Sequence, residues 1–243
     1  MNDDFMQRLS RRLSEDLGLL ARLHDREPDL ELAEGLRTMA FPGCLTLPLD
    51  DSDGQRATRL MALALETLPL QPDAELLDEL AADYTNIYLT HAIGASPQES
   101  VWLDEDGLIC QDAMFQVRQW YGAWGLKVPD WRTRPDDHLV HQLQFIAHLL
   151  EQGALEEAAR FMDEHLLRWL GLFAGRVMAR CDTPWFAATA ALTAAYCEAL
   201  RDLLAELTGH PRPTAEEIEA RMAPRRKAEG VPVAFMPGMG PVV

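Results

Sequence analysis

The sequence predicts an all-α protein. Three observations carry that reading: apolar residues recur at helical spacing through most of the chain, no segment of convincing period-2 alternation appears, and Pro, Gly and Asp stand where helices would start and stop.

In the opening segment Phe5, Leu9, Leu13, Leu17 and Leu20 fall on one helical face with charged residues between them. Pro28 starts a second, short helix through about Met39, and Phe41-Pro42-Gly43 stops it. The cluster Asp50-Asp51-Ser52-Asp53-Gly54 reads as a turn and the start of a helix through about Leu68. Pro69 and Pro72 punctuate, and Asp73 caps the next helix, on which Leu76, Leu80, Tyr84 and Ile87 share a face with Leu77 and Tyr88 beside it. Residues from about Ala92 to Gly107 form a long loop of a kind that is uncommon inside compact domains and often functional. Met114, Val117, Trp120, Tyr121 and Trp124 mark a helix ending near Gly125, and Lys127 to Arg134, with Pro129, is the candidate hinge. Helices follow over about 135–152, 155–180 and 184–208, the last opened by Thr183-Pro184, with a short one near 214–222.

The 243 residues suffice for a buried core, and 48% apolar with 25% charged residues is ordinary for a globular protein. The charge is not: 22 basic against 39 acidic side chains leave −17, which repels phosphate backbones and attracts cationic partners such as a positively charged peptide. No nucleic-acid partner is expected. Cys44, Cys110, Cys181 and Cys197 are scattered among apolar neighbours without a C-x-x-C pair, as expected of buried, reduced thiols in a cytoplasmic protein. No stretch reaches the roughly 18 uninterrupted apolar residues of a membrane helix, so the protein is not membrane-integral. Ser10-Arg11-Arg12-Leu13 imitates an export signal but is followed by Ser14-Glu15-Asp16, and its arginines read as the solvated side of a helix. Residues 1–223 are expected to form one all-helical domain, and 224–243 a flexible tail, basic at Arg225-Arg226-Lys227 and apolar from Val231 to Val243. A sharper reading of that order has the tail occupying the protein's own groove.

The helix from Pro135 carries two stripes. Leu139, Leu143, Ile146 and Leu150 lie within about 60° of one another at 100° per residue and form the core face. His138, His141, Phe145 and His148 form the second. A metal is not expected there, since no His-Glu-x-x-His arrangement or thiolate at ligand spacing accompanies the histidines. Asp136 and Asp137 sit in the first turn, where helix polarity favours carboxylates, and one would suffice as a cap. The surplus acceptors suit a peptide backbone or arginine side chains. No Gly-x-Ser-x-Gly elbow, P-loop or Rossmann fingerprint is present, and no spacing selects an acid–base pair, so no catalysis is expected. Tyr84, Tyr88 and Trp102 flank a Pro/Glu/Ser loop. The alternative is a nucleotide- or metal-binding helical protein using the face of His138, His141 and His148.

The order of motifs carries a resemblance. Tyr84-x-x-x-Tyr88, Ser96-Pro97-Gln98-Glu99-Ser100-Val101-Trp102-Leu103-Asp104, Tyr121-Gly122-x-x-Gly125-Leu126, Pro135-Asp136-Asp137-His138-x-x-x-Gln142-Leu143-x-Phe145 and Ala158-Ala159-Arg160-Phe161-x-x-x-His165-Leu166-x-x-Trp169 together resemble the TorD/DmsD family of NarJ-like redox enzyme maturation chaperones, over roughly residues 75–205. The resemblance implies a TorD-like helical bundle without catalysis. It also implies a cytoplasmic chaperone that binds the twin-arginine signal peptide, and the apo form, of a molybdenum oxidoreductase and assists cofactor insertion before export. It implies a monomer or a domain-swapped dimer, and weak guanine-nucleotide binding has been proposed for the family. The family's recognition positions fall on Tyr84, Tyr88, Pro97, Glu99, Ser100, Trp102, Pro135, Asp137 and His138, with Asp136 and Gln142 beside them. Where the family pattern has Glu-Leu-x-Phe this chain has Gln142-Leu143-Gln144-Phe145, a loss of negative charge expected in the groove.

Overall fold

A computed structural model describes residues 3–222, and among them there is no strand, only one isolated antiparallel bridge. Helix α1 spans Asp3–Asp25 and α2 Leu30–Thr38, where Asp29 rather than Pro28 starts the helix by accepting the Leu32 N–H at 2.7 Å. The same device opens α3, Ser52–Thr67, through Asp51, and α4, Ala74–Tyr84, through Asp73. A π-helical turn, Thr85–Leu89, extends α4 and buries Ile87 and Tyr88. The expected long loop contains one helical turn, α5, Ser100–Leu103. Helix α6 is Asp112–Ala123, and Gly125, at φ +71°, takes the left-handed conformation that ends it.

Three expectations need correction. The helix expected over 135–152 is α7, Leu139–Glu151, because residues 135–138 are drawn into a turn described below. The helix expected over 155–180 is interrupted: α8 is Leu155–Glu164, a 3-10 turn covers Leu166–Arg168, and α9 is Leu170–Arg180. The break falls at His165, whose backbone leaves helical values and whose ring is claimed by a buried carboxylate. Of the four cysteines, only Cys197 is buried; Cys44, Cys110 and Cys181 are half-buried, and burial pushes the Cys181 thiol up to about 11. Helix α10, Pro184–Thr208, begins with proline in its first turn and ends at Gly209, φ +72°. Helix α11, Ala215–Met222, lies beyond the compact unit that the contacts close at Arg212. The tail expected at 224–243, and the groove contact suggested for it, lie outside the described residues.

Within the first unit α1 lies along α7, and α10 packs on α3, α8 and α9. The apolar stripe of α1 supplies Leu13, Leu17 and Leu20, and α7 supplies Leu139, Leu143, Ile146 and Leu150, all inaccessible to water. Alanines along α10 allow close approach, and Trp185, Phe186 and Tyr196 fill the space around them. Buried polar side chains then set the relative rotation of the helices. Arg201 of α10 meets Asp163 of α8 through two bonds of 2.8 Å. Asp83 of α4 accepts the N–H groups of Asp182 and Thr183 and the Thr183 hydroxyl, so Thr183 ties two helices together instead of capping α10 with its side chain. His24 bridges the Tyr88 hydroxyl, at 2.6 Å, and the Thr193 hydroxyl, at 2.9 Å.

Full burial lowers His24 to about 3. A histidine held neutral in the fold contributes stability that is complete above its ordinary value of 6.5 and drains away as pH falls toward 3. His24 alone is expected to cost roughly 2 kcal/mol between pH 6.5 and 5, at about 1.4 kcal/mol per pH unit. Urea unfolding across that window should show His24→Gln with a shallower acid slope than the native protein; an unchanged slope would contradict this assignment.

Candidate functional site

Two distant segments close on each other as a latch. Residues 97–100 lie against residues 137–139, with an antiparallel bridge between Gln98 and His138. The Glu99 N–H donates to the Asp137 carbonyl at 3.1 Å, and the Leu139 N–H donates to the Pro97 carbonyl at 2.8 Å. A helix start leaves N–H groups without internal partners. Pro97 satisfies that of Leu139, and His138 Nδ1 accepts that of Val140 at 3.2 Å. His138 is therefore the capping residue of α7, and neither aspartate caps, contrary to expectation.

The aspartates are used elsewhere. Asp137 Oδ2 accepts the Ser100 N–H at 2.8 Å and its hydroxyl at 2.5 Å, while Ser100 Oγ accepts the Gln111 N–H at 3.3 Å. Asp136 is gripped by Arg118 of α6, Nη2 to Oδ2 at 2.8 Å and Nε to Oδ1 at 3.3 Å, so the arginine pairing expected from a peptide is made by the chain itself. The Tyr121 hydroxyl donates to the Asp136 carbonyl at 3.0 Å, and the His141 ring donates from Nδ1 to the Pro135 carbonyl at 3.0 Å.

A second layer extends inward from Glu99. Its carboxylate lies 2.9 Å from His165 Nδ1 and accepts from the Gln142 amide, whose oxygen accepts the Trp169 indole N–H at 3.3 Å. Glu99, Ser100, Asp137, Gln142, His165 and Trp169 are all 0% exposed. The Gln142 amide thus serves both neighbours from the interior, not from an open groove, and a second carboxylate there would face that of Glu99.

Burial raises Asp137, against the opposing pull of the Ser100 hydroxyl and N–H. It holds His138 well below, and His141 below, the ordinary histidine value, so the cap nitrogen of His138 stays free to accept. Tyr121 is raised well above its ordinary value by burial, with Asp136 next.

The structure thus brings together Pro97, Glu99, Ser100, Pro135, Asp136, Asp137, His138 and Gln142, all buried. Trp102 stands at the edge, half-buried, its indole N–H donating to the Ser96 carbonyl at 2.8 Å and the Arg176 guanidinium 5.4 Å from its ring centre. Tyr84 and Tyr88 belong elsewhere: Tyr84 donates to the Asp25 carbonyl at 2.7 Å, Tyr88 meets His24, and their rings stand 5.0 Å apart among core aromatics. The histidine stripe does not converge. His138 caps, His141 binds a carbonyl, and His148 meets the edge of Trp124. Among the described residues no group of three or more His, Cys, Asp or Glu is placed to hold a metal ion. Arg118 was missed as a latch residue and has no sequence signal. Tyr121, His165 and Trp169 stand in the motif order but were not read as partners of Glu99 and Asp136.

A family model described as nitrate reductase delta subunit matches residues 48–175, which contain both halves of the latch. The chain is 34% identical over 170 residues to the chaperone protein TorD of Vibrio cholerae serotype O1, covering 65% of this chain and 76% of that protein. It is 29% identical over 192 residues to the chaperone protein TorD of Vibrio vulnificus, covering 73% and 87%. With that of Photobacterium profundum it shares 30% over 147 residues, covering 56% and 67%.

Asp137→Asn keeps an oxygen for both Ser100 bonds while removing the ionisation. Because the folded protein holds Asp137 above the ordinary aspartate value of 3.8, stability is greatest below that value and falls as pH rises through the folded one. Urea unfolding from pH 4 to 7 should show the native protein losing stability relative to Asp137→Asn as pH rises. Ser100→Ala should cost about 1–3 kcal/mol by stranding the carboxylate. A pH-independent gap between native and Asp137→Asn would refute the account.

Proposed function

The chain belongs to the nitrate reductase delta subunit family, and on that premise we propose that it binds the twin-arginine signal peptide of a molybdopterin-dependent oxidoreductase and assists that enzyme's cofactor insertion before export. It is a chaperone, as its relatives are named, and not an enzyme. The observation that carries the proposal is the match over 48–175 to a family whose curated relatives here are chaperones, at up to 34% identity. The chemistry supports it. A net charge of −17 steers a cationic leader toward the surface, and the latch carboxylates Asp136 and Asp137 are occupied by internal donors, as befits a scaffold rather than a reactive centre. The site of action is the cytoplasm, where such a leader is met before export; among the described residues no helix is long and apolar enough to cross a membrane.

Of the expected recognition residues, Trp102 is the one that water, and hence a peptide, reaches most readily. Glu99, Ser100, Asp137, His138 and Gln142 act from behind by fixing the loop on which it stands. Isothermal titration with a synthetic leader, an arginine pair followed by an uncharged apolar stretch, should give a dissociation constant on the order of 1–10 μM, suited to a partner that must be released. Replacing both arginines by glutamine should weaken binding at least about tenfold, a loss of about 1.4 kcal/mol. No detectable binding of the intact leader would overturn the proposal.

A further inference from the structure

We propose that the leader docks along Asp104–Phe115, where exposed Leu108, Ile109 and Phe115 receive its apolar stretch and the carboxylates of Asp104, Glu105, Asp106 and Asp112 receive its arginines. The inference rests on the function proposed above and gives that function a surface outside the latch. Leu108 is 53% exposed, Ile109 51% and Phe115 48%. They fall within one short stretch that leaves Trp102 and enters the first turn of α6.

The backbone of this stretch is pinned. Asp104 Oδ2 accepts the N–H groups of Asp106 and Leu108, the Gly107 N–H donates to the Asp104 carbonyl, and the Gln111 N–H is held by Ser100 Oγ of the latch. Gly107, at φ +64°, makes the turn. A loop fixed at both ends that still holds adjacent leucine and isoleucine side chains in water presents a surface suited to a partner.

Charge names the partner. None of the four carboxylates is paired with a cation among the described residues. The neighbouring guanidinium of Arg118, 5.6 Å from the Phe115 ring centre, is committed to Asp136. A stretch with uncompensated negative charge around apolar side chains complements a peptide that is cationic at one end and apolar beyond it, and disfavours an acidic one.

The test compares three variants of the full chain in titrations with the synthetic leader. Leu108→Ser/Ile109→Ser/Phe115→Ser removes the apolar surface. Asp104→Asn/Glu105→Gln/Asp106→Asn/Asp112→Asn removes the local charge. Glu66→Gln/Glu75→Gln/Asp78→Asn/Glu79→Gln removes equal charge from exposed positions on α3 and α4. Circular dichroism should show all three folded. The first two are expected to weaken binding at least about tenfold and the third less than about threefold. The second should also lose most of the salt dependence and no longer distinguish the intact leader from the one with both arginines replaced by glutamine. Native-like affinity in both the first and second variants, with the native protein binding, would overturn this surface while leaving the proposed function standing. Equal losses in the second and third would reduce the effect to global charge and overturn it as well. Failure of the native protein to bind the leader at all would remove the function and the surface together. Sedimentation that shows the first variant losing a self-associated state, without losing the peptide, would assign the face to a second copy of this chain.

Discussion

The fold around the centre of this chain depends on the pairing of residues 97–100 with residues 137–139. The pairing resolves two problems with one set of contacts: α7 begins inside the protein and needs acceptors for its first N–H groups, while the 96–100 loop is buried and needs donors and acceptors of its own. Each segment supplies what the other lacks. Pro97 gives a carbonyl to Leu139, Asp137 gives a carboxylate to Ser100, and the Asp137 carbonyl takes the Glu99 N–H. Helices α5, α6 and α7 are tied to one another through this exchange, and Glu99 carries it inward to the break between α8 and α9.

Buried charge is a poor source of net stability, since desolvation offsets most of the attraction, but it discriminates strongly between arrangements. That distinction explains where this protein spends its polar residues. Asp163 with Arg201, Asp83 with Thr183, and Glu99 with Gln142 and His165 each join elements remote in sequence. Apolar stripes alone would let these helices rotate or slide against one another at little cost. With the polar ties in place, a wrong rotation strands a carboxylate in the interior. The buried His24 and His138, kept neutral by burial, belong to the same scheme.

The helices were legible because their signals are local. Asp51 and Asp73 cap as their positions suggest, and the face of Leu139, Leu143, Ile146 and Leu150 is the core face. What could not be read depends on partners far away in the chain. Between Phe161 and Leu170 the apolar period continues without interruption, so nothing marks the break at His165, which exists because Glu99 offers a carboxylate from another segment. In Pro135-Asp136-Asp137-His138 the presence of surplus acceptors was legible; their occupation by Ser100 and Arg118 was not, because neither residue is near in sequence. The motif order located the right residues, and only the coordinates reveal that most of them face inward. Trp102 escapes that burial because its indole nitrogen is tied to the Ser96 carbonyl while its ring lies at the loop's edge.

The two halves of the latch lie on opposite sides of residues 127–134, and so do Asp25 and Arg134, which form an ion pair. This has a consequence for assembly. If the 127–134 connection were to straighten, α7 and all that follows could leave its own chain and be received by another without altering a single one of these bonds. Enclosed and exchanged forms would then be built from the same contacts, and their ratio would be set by concentration and by the stiffness of eight connecting residues.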